Sequence, residues 1–117
     1  MSDQVTDPFA PDPEPFELEL APERDGVRIV PAGALDIATV PILEARLREL
    51  RDSGFRRLLV DLRRLTFIDS TGLRLLLTYD AESKQDGFAF ALIPGSPKVQ
   101  RVFEITRTVG ALPFVDP

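Results

Sequence analysis

Two short apolar runs, Leu58-Leu-Val-Asp-Leu62 and Phe88 to Ile93, lack the apolar–polar alternation of a half-exposed strand. Strands of that kind are covered on both faces, as in the parallel sheet of an α/β fold. Each run leads into a helix-period segment, and this order decides most of the architecture. After the first, a helix opens near Ser70, places Leu73, Leu76 and Leu77 on its buried side, and stops at Gln85-Asp86-Gly87. After the second, Ser96 is an N-cap residue with Pro97 at the first helical position, and Val99, Val102 and Phe103 supply the apolar face. Upstream, Thr39 is read as the N-cap of a further helix, with Pro41 tolerated in its first turn. Val40, Leu43, Leu47 and Leu50 form its apolar stripe. Asp52-Ser53-Gly54 ends it, because glycine suits the left-handed position beyond a helix.

Before the helices, Phe16-Glu-Leu18-Glu-Leu20 alternates apolar and charged residues, the pattern of a strand with one wet face. Ala21 to Gly26 supplies turn residues and Val27 to Ala32 a second strand, so the two form an antiparallel hairpin closed by Gly33 to Asp36. The predicted order is β-β-α-β-α-β-α, with Leu112 to Val115 either a last short strand or a packed tail. Strands joined through helices imply right-handed crossovers. The expected fold is therefore α/β, a mixed sheet of four to five strands with three to four helices, antiparallel in its N-terminal hairpin and otherwise largely parallel. A chain of 117 residues fits one such domain.

Residues 1–15 stand apart from this pattern. They hold four of the eleven prolines and four acids, with no Lys or Arg, and, after Met1, only Val5 and Phe9 as large apolar side chains. Such a segment cannot bury enough surface to offset its ordering entropy, so a flexible tail is expected before a folded domain at 16–117. The tail contributes −4 of the formal charge of −5, while the remainder carries 15 acids against 14 bases. A nearly neutral domain without a basic surplus is not the profile of a nucleic-acid binder, which directs attention to a protein partner. The N-terminus has no basic and apolar leader, and no apolar stretch approaches the length of a membrane span; a cytoplasmic protein without membrane insertion is expected.

The chain contains neither His nor Cys. The usual general base, the usual metal ligands and the thiolate nucleophile are thus missing together, and no metal or cofactor is expected. There is no Gly-x-Ser-x-Gly elbow and no phosphate loop, which also argues against nucleotide binding. A single Asp-Ser-Thr-Gly does not supply the two loops of an aspartic protease. An enzyme is not expected.

The remaining candidate is Phe67-Ile-Asp69-Ser70-Thr71-Gly72-Leu73, which lies after a buried strand and at the start of a helix. Ser70 or Thr71 is read as the helix cap. The first free amides of the helix point outward there and favour negative charge. By spacing alone Ser70 is a cap, Asp36 and Asp69 are turn residues, and Arg74, one turn after Ser70, is a solvated cation.

Gly33-Ala-Leu-Asp36, Val60-Asp-Leu62 and Phe67-Ile-Asp69-Ser70-Thr71-Gly72-Leu73 together resemble the STAS domain family, specifically bacterial anti-sigma factor antagonists, over roughly residues 16–115. The resemblance implies a partner switch. The unmodified antagonist binds an anti-sigma factor that is also a serine kinase, so regulating sigma-factor-dependent transcription. Phosphorylation separates the complex and a serine phosphatase reverses it. Ser70 matches the phosphorylated serine; Asp36, Asp69, Thr71, Gly72 and Arg74 are the flanking or partner-binding positions, with Thr71 where the family often has a second serine. A monomer or weak dimer is expected. The alternative within the same family is a scaffold or accessory STAS domain, in a stress-signalling or lipid-transport assembly, that needs no reversible phosphorylation.

Overall fold

A computed structural model of the chain describes residues 15–117, so the expected tail, except for Pro15, lies outside the described residues. Strand β1 (Glu17–Glu23) turns through Arg24-Asp25 into β2 (Gly26–Leu35), and the two pair antiparallel from Glu17↔Ala32 to Glu23↔Gly26. Asp25 takes a left-handed conformation at φ 60°, which an Asp in a two-residue hairpin tolerates. Helix α1 (Val40–Asp52) follows, then β3 (Arg57–Asp61), β4 (Leu65–Ile68), α2 (Ser70–Asp86), β5 (Ala89–Ile93), α3 (Pro97–Ile105) and a single 3-10 turn at Val109–Ala111.

The sheet runs β1-β2-β3-β5, with β4 also paired to β2. It has five strands, antiparallel between β1 and β2 and parallel elsewhere, with three α-helices, which is the mixed α/β architecture expected, although the fifth strand is not the C-terminal one. Val27, Ile29, Leu58, Val60, Phe90 and Leu92 project toward one side of the sheet and are buried with Leu43, Leu47 and Leu50 of α1 and Leu76 and Tyr79 of α2. Burial of each such Val, Leu or Ile is worth about 1.5–3 kcal/mol, which is what holds the helices on that side. Among the described residues, no helix is long and apolar enough to cross a membrane.

Several expectations are corrected. Gly33 to Asp36 does not close the hairpin; β2 runs on to Leu35 because its second half gains a partner. That partner is β4, a strand the sequence pattern does not show. Gly26–Ile29 pair with β3, while Gly33, Ala34 and Leu35 pair with Leu65, Phe67 and Ile68, so the chain steps along one side of β2 from one strand to the next. The register slips between Gly33 and Ala34, which leaves β4 exposed at Thr66 and Phe67 between buried Leu65 and Ile68. A bulged four-residue strand of that kind has no period to read. On α2 it is Leu75, not Leu77, that is fully buried with Leu73 and Leu76; α2 packs against both α1 and strands, so its buried arc is wide. The C-terminal segment makes one parallel bridge, Leu92↔Phe114, with the Val115 N–H donating to Leu92 O at 2.8 Å.

Candidate functional site

Parallel pairing of β2 with β4 ends at Leu35↔Ile68, and the next residue on each strand is an aspartate. Asp36 and Asp69 therefore leave the sheet side by side at the C-terminal ends of neighbouring strands, where ligand and partner sites of α/β sheets are usually found. The Asp69 N–H donates to Leu35 O at 3.2 Å and ties the two exits together. Residues remote in sequence, Gly33–Asp36 and Phe67–Leu73, thus form one rim.

Asp69, not Ser70 or Thr71, caps α2. Its backbone is extended (φ −109°, ψ −173°) and its Oδ1 accepts from the N–H groups of Thr71 at 2.9 Å and Gly72 at 3.0 Å. Three adjacent residues have capping chemistry, and backbone conformation selects the first. Ser70 is consequently the first helical residue; it is exposed, and its hydroxyl has no hydrogen-bond partner among the described residues.

Asp36 organises the neighbouring exit. Its Oδ1 accepts from the N–H groups of Ala38 at 2.9 Å and Thr39 at 3.2 Å, an Asx turn feeding α1. Thr39 occupies the N-cap position but makes no side-chain capping bond; its hydroxyl donates to Ala34 O at 2.6 Å and accepts from the Asp36 N–H at 2.9 Å. The side chain read as a cap instead fastens the turn to β2.

Gly72 is buried. A Cβ there would stand 2.8 Å from Ile68 Cγ1 and 2.9 Å from the carbonyl oxygen of Leu35. Its place on the rim is a packing requirement, letting the first turn of α2 sit on the ends of both strands. Arg74 is exposed and forms no ion pair with any described residue. Thr71 is half-buried beside it.

Two features of the site are not visible in the sequence motif. Ile37, in the turn after Asp36, is 74% exposed, and Phe67, opposite Ala34, is 44% exposed; Ile42 in the first turn of α1 is also exposed. Ile42 lies off the α1 stripe and could have been found that way; Phe67 needed the register of β4. The second is Asp61, within Val60-Asp-Leu62, which is 3% exposed at the end of β3. Burial opposes its charged form, but Arg63 outweighs this: Nε and NH2 donate to the carboxylate, at 3.0 and 2.7 Å, and the Arg63 N–H adds a bond at 3.0 Å. Arg28 stands 3.9 Å away, and the Asp61 carboxyl is held below the usual carboxylate range. Among the described residues, no group of His, Cys, Asp and Glu is arranged to hold a metal ion.

The strand and helix ends thus bring an exposed hydroxyl, two carboxylates and exposed apolar side chains to one end of the sheet. The family model described as Mlab, STAS domain matches residues 18–113, and the chain belongs to the STAS domain family. The anti-sigma-B factor antagonist of Staphylococcus aureus is 36% identical over 74 residues, covering 63% of this chain and 68% of that protein. BtrV of Bordetella bronchiseptica is 36% identical over 84 residues, 72% of each chain. Among solved structures, the anti-sigma factor antagonist SpoIIAA of Bacillus matches in its unphosphorylated form with a TM-score of 0.70 and 28% identity over 88% of each chain. Its phosphorylated form matches with a TM-score of 0.66 and 27% identity, covering 88% of this chain and 91% of that one.

Proposed function

We propose that this protein is an anti-sigma factor antagonist that binds an anti-sigma factor with serine kinase activity and is switched off by phosphorylation of Ser70. The observation that carries the reading is the exposed, unbonded Ser70 hydroxyl at the first position of α2, beside an Asp69 that has already taken the helix amides. A phosphate there adds about −1.5 to −2 charges at pH 7. With Thr71 and Gly72 N–H groups engaged by Asp69, that charge has few local donors and stays at the surface, next to Asp36 and Asp69. A rim that offers apolar contact through Ile37 and Phe67 becomes strongly negative at its centre. Docking is lost through repulsion and desolvation, with no need to refold α2. The names and the phosphorylated form of the relatives support the same reading. In this scheme Asp36, Asp69 and Arg74 contact the partner or the kinase, and a serine phosphatase restores the docking form.

Incubation with the cognate anti-sigma kinase and ATP, followed by intact-protein mass spectrometry, is expected to add one phosphate to the wild type and none to Ser70→Ala. In calorimetry, Ser70→Asp is expected to weaken kinase binding while Ser70→Ala keeps it. Equal phosphorylation of wild type and Ser70→Ala would overturn the assignment of Ser70. Unchanged affinity of Ser70→Asp, with the protein co-purifying in a large assembly, would favour the scaffold or accessory role instead.

A further inference from the structure

We propose a second binding site, at the opposite end of the sheet from Ser70, for an aliphatic chain that carries one anionic head, a carboxylate or a phosphate monoester. The parallel strands start at that end: Gly26 of β2 pairs with Arg57 of β3, and Arg57 with Ala89 of β5. Side chains alternate along each strand, so Leu58, Val60, Phe90 and Leu92 enter the core while Arg57, Leu59, Ala89 and Ala91 face the other side. That side is thinly covered, with Leu59 and Ala91 half-buried and Arg57 and Ala89 exposed. The C-terminal segment supplies one wall, because the Val115 N–H donates to Leu92 O and fixes Val115 at the edge of β5. The turn between β1 and β2, with Arg24, supplies another. Between them lies an open groove of about 510 Å³, a volume within the range of small-molecule sites.

The lining selects the class of ligand. Leu59, Ala89, Ala91 and Val115 make an aliphatic floor, hollowed by the two small alanines, and the groove has no aromatic ring on which a base could stack. Its charged groups gather at one rim, as Glu23, Arg24 and Arg57. Glu23 is already engaged, accepting from Arg28 NH2 at 2.9 Å. Arg24 and Arg57 form no ion pair with any described residue, so the rim holds two unmatched positive charges beside a neutralised carboxylate. Guanidinium forks match the paired oxygens of carboxylates and phosphates. Gly26 brings the two arginines to one rim: a Cβ there would stand 2.5 Å from Arg57 O and 2.7 Å from Arg57 Cβ, so glycine lets the turn that carries Arg24 close on Arg57. The adjoining groove, along Gly54 and Phe55, shares Arg57 but adds Asp25, which repels an anion. The first groove therefore combines charge complementarity at its rim with an apolar floor, a combination that favours an amphiphile over a bare ion or a neutral hydrocarbon. Because it lies at the far end of the strands from Asp36 and Ser70, ligand and protein partner can be bound together.

The test is a titration of the full, 15N-labelled chain with octanoate and, separately, with monooctyl phosphate, followed through the backbone amides by NMR. At least one of the two is expected to give saturable shifts at Gly26, Leu59, Ala91 and Val115, with Ile37 and Ser70 unmoved, and the tighter of the two names the head. Octanol, which lacks the charge, and acetate, which lacks the chain, are expected to give none at the same concentrations. Arg57→Gln, on an exposed side chain, is expected to weaken binding about tenfold or more, the loss of one charge-assisted contact. Ala91→Phe, which fills the hollow, is expected to abolish binding with the amide spectrum still dispersed; if that variant fails to fold, Arg57→Gln decides alone. No saturable shifts with either probe would overturn the proposal. Equal binding of octanol, undiminished affinity in Arg57→Gln, or shifts that spread equally to the exposed apolar residues Ile37, Phe67 and Ile105 would overturn it as well, since adsorption to apolar surface would then account for the effect. No partner or kinase enters the measurement, so its failure leaves the phosphorylation reading standing, and the failure of that reading leaves this one.

Discussion

Gly72→Ala separates two opposite expectations for one methyl group. In an ordinary helix the change stabilises by about 0.5–1 kcal/mol, because glycine loses more backbone entropy on folding. Here the added Cβ meets Ile68 Cγ1 at 2.8 Å, Leu35 O at 2.9 Å and Leu35 Cγ at 3.0 Å. The Ile68 side chain can yield by a small rotation. The carbonyl cannot, since Leu35 O accepts the Asp69 N–H at 3.2 Å and belongs to a paired strand end. Overpacking of this kind costs about 1–3 kcal/mol, which exceeds the propensity gain and leaves a net loss of about 1–2 kcal/mol. For a domain of this size each kcal/mol moves the melting temperature by roughly 4–8 °C, so calorimetry is expected to show a fall of about 5–15 °C. Urea titration should show a lower midpoint with an unchanged slope, because the surface exposed on unfolding is the same. A melting temperature equal to or above that of the wild type would refute the argument that α2 rests on the strand ends at Gly72. Because the clash pushes the first turn of α2 outward, the same substitution is expected to slow phosphorylation of Ser70 more than its stability loss explains.

The cap is tested by Asp69→Ala, expected to cost about 1–2 kcal/mol in denaturant titration, whereas Asp69→Asn keeps the acceptor and should lose less than half of that. A cost equal for both would mean that charge, not capping, is what Asp69 contributes to stability. The depressed Asp61 pKa makes stability fall in acid: the unfolded chain binds the Asp61 proton from about pH 3.8 downward while the folded chain still excludes it. The Asp61 contribution is thus complete above that pH and is lost as pH falls through the lower, folded value. Asp61→Asn should flatten the stability profile below pH 4, and an unchanged acid slope would count against the Arg63 pairing. Thr39→Val, which removes a hydroxyl bonded to Ala34 O at 2.6 Å and to the Asp36 N–H at 2.9 Å, is expected to cost about 1–3 kcal/mol by leaving those groups unpaired, as measured by thermal unfolding.

Local chemistry was enough to read those elements whose burial follows from their own period or composition. The Val40, Leu43, Leu47 and Leu50 stripe, the stop at Gly87 (φ 73°) and the Ser96-Pro97 start all lie where the pattern places them, and the Leu58–Leu62 run is a strand, though with Arg57 exposed and Leu59 half-buried it is not covered on both faces as expected. The motif around Ser70 and its position at a helix start were legible for the same reason. What the sequence left undecided depended on a second chain segment. β4 is a strand only because the far half of β2 is there to pair with it, and its bulged register exposes Phe67, which no alternation in Leu65–Ile68 would reveal. Which of three adjacent capping residues closes α2 was settled by the extended backbone of Asp69, itself held by Leu35 O. The neighbourhood of Asp36 and Ser70, more than thirty residues apart in sequence, exists through one parallel register, Leu35↔Ile68. Periodicity and capping act within a few residues and can be read from one strand of text, whereas register and close approach are properties of pairs, and only the folded chain brings the pairs together.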